Sequence, residues 1–218
     1  MDIQLINKTP DFLKVIWLAA RTCKSPKTPQ ELWQEDQSRE EMERIADNII
    51  RSGHTSVLEH CYVTYAVAGV SRSLLAQYTR HRIGISISVQ SQRAVSERSD
   101  RNGGMFDAVI PHTIEQNEKA KEIFVSQLRS LQECYDRLSE LNINKEDARF
   151  ILPNAAATNF VTTLNLRSLM DVYEKRVTVP GAQWEIKEMI QRFADIICNE
   201  EPWLRKYFLK SETTKVEN

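Results

Sequence analysis

Residues 61–89 read CYVTYAVAGVSRSLLAQYTRHRIGISISV, and the fold class follows from how the pattern changes along them. From Cys61 to Ala68 the chain is rich in Tyr, Val and Thr, which predicts a strand. Ser71 then caps a short helix through Leu74, Leu75 and Tyr78, which ends near the triplet Arg80-His81-Arg82. From Ile83 to Val89 the residues Ile83, Ile85, Ile87 and Val89 alternate with Gly84, Ser86 and Ser88. Period two means an extended segment with one apolar face and one small, polar face. Ile83, Ile85 and Ile87 are then expected to pin it to the core.

Working outward, the same reading gives mostly helices. Asp11 to Thr22 carries Phe12, Val15, Ile16 and Ala19 on one face. Ser38, with Glu41 completing a capping box, opens a helix that Gly53 stops. Downstream, residues 99–104 are charged and glycine-bearing and read as a mobile loop. Thr113 with Gln116 caps a helix reaching about Leu141, striped by Phe124, Leu128, Leu131, Tyr135 and Leu138. At about 1.5 Å per residue that helix is long enough to reach across a subunit boundary. A short helix holds Arg149 until Pro153, and Thr158 to Thr163 reads as another strand. Helices follow over 165–176 and 182–198, the latter striped by Ile186, Met189, Ile190, Phe193 and Ile197. The polar tail after Lys210 is expected to fray.

Strands and helices do not alternate regularly, so the expected class is α+β: helices packed around a mostly antiparallel sheet, in a single domain spanning residues 1–218. Lys plus Arg (29) nearly cancel Asp plus Glu (30), so an anion site must be a local concentration of positive charge. No apolar run approaches the ~20 residues of a membrane span, and the start lacks the pattern of a signal peptide. Cys23, Cys61, Cys134 and Cys198 form no C-x-x-C pair and read as small buried hydrophobes in a reducing cytoplasm. His54 and His60, six apart and without a third ligand, do not make a metal site, and no metal is expected. Neither Ser91 nor Cys61 has a local base that would activate it as a nucleophile.

The chemistry-bearing stretch is Arg80, Arg82, Arg93 and Arg98, four guanidinium groups within nineteen residues, interleaved with Ser86, Ser88, Ser91 and Ser96. Arg presents a fixed fork of donors suited to phosphate and carboxylate. A solvated basic face and a bound anion are both open at this point. A second set, Asn165, Arg167, Asp171 and Arg176, falls on adjoining faces of one helical stretch. No glycine-rich phosphate loop exists, so phosphate would be held by side chains. A nucleic-acid-binding helical protein using the Arg80–Arg98 segment is the competing reading. Against it stand the net charge of −1 and the scarcity of aromatic residues beside the patch.

Several ordered segments together resemble the flavin-dependent thymidylate synthases. Arg80-His81-Arg82, followed after eight residues by Ser91, is similar to that family's signature. Gly53-His54, Glu59-His60 and Gln77 precede it. Ala148-Arg149, Asn165-Leu166-Arg167-Ser168-Leu169, Arg176 and Ala182-Gln183-Trp184-Glu185-Ile186 follow in order. The resemblance implies a homotetramer with active sites shared between subunits. It implies FAD as cofactor, and reductive methylation of dUMP to dTMP with methylenetetrahydrofolate as carbon donor and NADPH as reductant. By position it assigns FAD to Ser56, Arg80, His81, Arg82, Asn165, Arg167 and Asp171. It assigns dUMP to Gln77, Arg80, Gln90, Ser91, Gln92, Arg93, Arg149 and Arg176. His54 would line the folate and nicotinamide region, and Arg176 would be catalytic. The chain departs from the pattern by one residue inserted between Arg82 and Ser86. It departs again with Ser88 and Val89 where asparagine and glutamate are common, and with Ala94, Gly181 and Lys187. If Ser88 and Gln90 face a ligand, Ser91 and Arg93 join them only if the segment turns.

Overall fold

The structure, a computed structural model, describes residues 1–208. The expectation of fraying beyond Lys210 lies outside the described residues. Strand β1 (Asp2–Lys8) leads into helices α1 (Phe12–Thr22), α2 (Pro29–Trp33) and α3 (Arg39–Ser52). A 3-10 turn (Thr55–His60) precedes β2 (Tyr62–Ser71), α4 (Arg72–Tyr78) and β3 (Ile85–Val89). Then come α5 (His112–Glu115), α6 (Glu118–Glu140), α7 (Lys145–Ala148) and a 3-10 turn at Arg149–Ile151. Strand β4 (Ala157–Asn165), α8 (Leu166–Tyr173), a π-helical turn (Glu174–Thr178), α9 (Trp184–Glu200) and α10 (Arg205–Phe208) complete the described chain. The strands form one sheet in the order β1-β2-β4-β3. Paired positions run in opposite senses, Thr64 with Thr163 and Gly69 with Asn159, so the α+β class with an antiparallel sheet holds.

The chain divides into two compact units, and β2, β3 and β4 each continue from one into the other. Residues 1–2, 67–80 and 88–161 form the first; the second holds residues 3–66, 81–87 and 162 onward. In the first, Phe106, Leu128 and Ala156 make a core lined by Met105, Phe124, Leu131 and Leu152. Tyr78 stacks on Phe160 with centroids 5.6 Å apart. In the second, α9 buries Ile186, Met189, Ile190, Phe193 and Ile197, the stripe expected from sequence. Tyr65 stacks on Phe193 at 4.1 Å, and its hydroxyl donates to the Phe193 carbonyl at 2.8 Å, which satisfies the one polar atom the ring takes inside.

Local chemistry explains most helix ends. Asp11, Ser38, Ser71, Asn165 and Gln183 each accept a first-turn N–H, and Gly53 ends α3 at φ 75°. Four expectations need correction. Ser38 caps α3, but no reciprocal bond from Glu41 completes a box; the Glu41 carboxylate is taken by Arg44 at 2.8 Å. Thr113 does not open the long helix. The chain breaks after α5, and Asn117 caps α6 by accepting from the Ala120 N–H. An asparagine in extended conformation competes better for that role than a threonine already inside a helical turn. Residues 99–104 are not an untethered loop: Ser99–Arg101 is a 3-10 turn, and the Asn102 amide donates to the Ser96 and Arg98 carbonyls. Ile83 is not a core anchor. It is 87% exposed, and the strand begins two residues later, because Gly84 takes φ 64° and turns the chain.

Candidate active site

The resemblance-assigned residues fall in both units; Arg80, assigned to both ligands, lies in the first, and Arg176, assigned to dUMP, in the second. Most of the nucleotide set lies in the first: Gln77 and Arg80 at the end of α4, Gln90 to Arg93 after β3, and Arg149 after α7. Strand β3 stops at Val89, and the chain turns at Ser91, whose carbonyl accepts from the Ala94 and Val95 N–H groups. That turn is the condition under which Ser91 and Arg93 leave the alternating pattern. The Ser91 hydroxyl oxygen accepts from the Arg93 N–H at 3.2 Å. Gln90 is fixed by Asn159, whose amide donates to its side-chain oxygen at 2.8 Å.

Two distant guanidinium groups converge on one residue here. Arg93 pairs with the Glu146 carboxylate at 3.0 Å, and Arg149 Nε donates to the Glu146 carbonyl at 3.1 Å. Both members of the Arg93–Glu146 pair are more than half exposed, so the bridge is worth only ~0–1 kcal/mol and a stronger anion can displace it. Arg80, Arg82 and Arg93 are exposed. Arg98 pairs with Asp100 at 3.1 Å. Sequence reading missed Arg72, on the first turn of α4. It is half-buried, its Nε has no protein hydrogen-bond partner, and its guanidinium donates weakly to the Gln90 carbonyl at 3.5 Å. Burial lowers its pKa, Glu97 opposes that, and the nearby Arg149 charge adds to it. In turn, burial raises the Glu97 carboxyl, against the pull of Arg72 and Gln92. No sequence spacing could have linked Arg72 to Arg149; the fold brings their charges within range of each other.

The second unit carries the remaining assigned residues. Asn165 caps α8, 4% exposed, its side-chain oxygen accepting from the Ser168 N–H at 2.8 Å. Two residues on, Arg167 is exposed and bridges to Glu59 of the 3-10 turn at 2.5 Å. Asp171 pairs with Lys175 at 2.8 Å. Ser56 and His54 are exposed at the start of that same 3-10 turn, which packs against α8. Arg176 sits on the π-helical turn that continues α8, a widened backbone often found at functional sites. Its Nε donates to His81 Nε2 at 2.9 Å. A guanidinium can only donate, so His81 Nε2 is the acceptor of this bond.

Cys61 and Cys198 are buried, and burial pushes them up to about 12 and about 11 respectively. Both therefore stay protonated at neutral pH. Cys23 and Cys134 are exposed, which corrects the expectation that all four are buried. Among the described residues no group of three or more His, Cys, Asp or Glu is arranged to hold a metal ion, and no helix is long and apolar enough to cross a membrane.

Residues 4–203 match the family model described as thymidylate synthase complementing protein. The chain belongs to the flavin-dependent thymidylate synthase family. Members at this similarity include the flavin-dependent thymidylate synthase of Geobacter sulfurreducens, 38% identical over 87% of this chain and 78% of the relative. That of Haloarcula marismortui is 34% identical over 95% and 94% of the two chains. A solved relative, thymidylate synthase X of Helicobacter pylori with FAD and dUMP, superposes with a TM-score of 0.74 at 27% identity, covering 96% of this chain and 99% of its own. The UMP/dUMP methylase PolB of Streptomyces cacaoi, at 21% identity and a TM-score of 0.76, shares the fold over 95% and 94% of the two chains. Family membership removes the ground for reading the Arg80–Arg98 segment as a nucleic-acid surface.

Proposed function

We propose that this flavin-dependent thymidylate synthase family member reductively methylates dUMP to dTMP, using FAD, methylenetetrahydrofolate as carbon donor and NADPH as reductant. The observation that carries the reading is the Arg176–His81 hydrogen bond: it joins the assigned catalytic arginine to the R-H-R segment across ninety-five residues of chain. The donor chemistry of the second unit fits a dinucleotide cofactor. Arg82 and Arg167 offer exposed guanidinium groups to a diphosphate, and Asn165, His81 and Ser56 offer neutral polar groups. Asp171 supplies a carboxylate of the kind that accepts from ribose hydroxyls.

In the first unit, Ser91, Arg93 and Arg149 suit a phosphate dianion, each charge-assisted bond contributing about 1.5–3 kcal/mol. Gln77, Arg80, Gln90 and Gln92 complete the nucleotide set. Arg176 stabilises negative charge on the pyrimidine as N3 loses its proton, which makes the ring carbon nucleophilic without attack by a cysteine. Bound flavin supplies the hydride chemistry, so the protein binds, orients and polarises. His54 borders the region where folate and nicotinamide approach. In this reading the active assembly is a homotetramer with active sites shared between subunits.

The test is direct. The purified protein is expected to be yellow, to shift its flavin band on titration with dUMP, and to form dTMP when given methylenetetrahydrofolate and NADPH. A colourless protein that takes up no FAD would overturn the proposal.

A further inference from the structure

We propose that Gly84 and Ser168 are positioning residues that lock the His81–Gly84 loop onto the start of α8, holding His81, Arg82 and Asn165 in one cofactor-binding arrangement. The inference rests on the functional reading above. Nothing apolar fixes this loop, since its one large hydrophobic residue, Ile83, is 87% exposed. Its position depends on polar contacts made from both ends.

At the leading end, His81 Nε2 accepts from Arg176. At the trailing end, the Ser168 hydroxyl donates to the Ile83 carbonyl at 2.7 Å, and the Asn165 N–H donates to the Gly84 carbonyl at 3.1 Å. The Thr162 hydroxyl then donates to the Ser86 carbonyl at 3.0 Å, where the strand takes over. Arg82 is therefore carried between two clamps.

Gly84 is required twice over. Its φ of 64° is a left-handed conformation that L side chains rarely adopt. A Cβ there would also stand 2.2 Å from Asn165 Nδ2 and 2.3 Å from Ser168 Oγ. Asn165 cannot swing aside freely, because its side-chain oxygen is committed to the Ser168 N–H as the cap of α8. A methyl group at Gly84 therefore displaces a residue assigned to the cofactor, the helix start that carries it, and the loop opposite.

The experiment uses the full chain with Gly84→Ala, Ser168→Ala and, as a control, Ser38→Ala. Ser38 caps α3 and touches none of these residues. Apoprotein is titrated with FAD by flavin fluorescence, and apoprotein melting is measured in parallel. Ser168→Ala is expected to weaken FAD binding about two- to tenfold, as loss of one hydrogen bond does, and Gly84→Ala by more. Ser38→Ala is expected to lower the melting temperature and leave FAD affinity unchanged. FAD affinity within twofold of the parent in Ser168→Ala and Gly84→Ala overturns the inference. So does a loss of affinity that Ser38→Ala reproduces at equal loss of melting temperature. If Gly84→Ala fails to fold, Ser168→Ala decides alone. A parent that binds no FAD is a different result, and counts against the functional reading instead.

Discussion

The catalytic assignment turns on one guanidinium and what it can still donate after Nε is committed to His81. Arg176→Ala is expected to lower kcat by about two orders of magnitude or more while leaving FAD occupancy near that of the parent, since transition-state charge loses its partner. Arg176→Lys keeps the charge but not the fork and is expected to recover little of the loss; steady-state kinetics on both variants checks this. By contrast, Cys61→Ala should keep its turnover per folded enzyme and lose only stability, about 1–2 kcal/mol in denaturant unfolding, because a thiol held near 12 is no nucleophile. At this scale the sequence was informative where side chains belong to one short run, as in Arg80-His81-Arg82. It was silent where charges meet through the sheet. Arg72 lies eight residues before the triplet and looks like an ordinary helix residue until Arg149 and Gln90 are brought beside it.

Helix caps and stripes are local physics, and most were legible. Asp11, Ser38 and Ser71 sit one position before helices whose apolar spacing is plain. The error at α6 arose because Thr113 and Asn117 both precede helical residues, and only the backbone conformation distinguishes them. Asn117→Ala is therefore expected to cost about 1 kcal/mol by equilibrium unfolding, and Thr113→Ala much less. Strand β1 was not anticipated at all, because its pairing with β2 depends on residues some sixty positions away. At the far end of the described chain, α10 docks on α3 through Asp47, which accepts from Tyr207 and pairs with Lys206 at 2.5 Å. Burial works to raise the Asp47 carboxyl, but the bonds from Lys206 and Tyr207 hold it below its ordinary range. A lowered carboxyl stabilises the fold above its unfolded pKa, and that contribution is lost as pH falls through the folded value. Melting temperature should therefore drop on acidification through the lower carboxylate range, and Asp47→Asn should flatten that dependence.

For the whole chain, near-neutral net charge means that any anion site is a local concentration of positive charge. The proposed homotetramer gives an expectation about assembly. Light scattering on the purified protein should report four chains per particle, and dilution below the dissociation constant of the assembly should abolish turnover before it abolishes secondary structure. The class, the main helices and two strands were readable because each depends on periodicity. The division between units was not, because it cuts through strands whose residues look alike on both sides of the cut.

The π-helical turn at Glu174–Thr178 places a constraint on how this gene can vary. A loop absorbs a gained or lost codon with little effect, but a wound backbone does not. Removing one residue from the bulge would let it relax to α-helical pitch and rotate everything after it by about 100°. Arg176 would then point away from its imidazole neighbour with its chemical identity intact. Length in those five positions should be fixed as strictly as any side chain, and a one-residue deletion beside Arg176 should disable the enzyme as thoroughly as replacing the arginine.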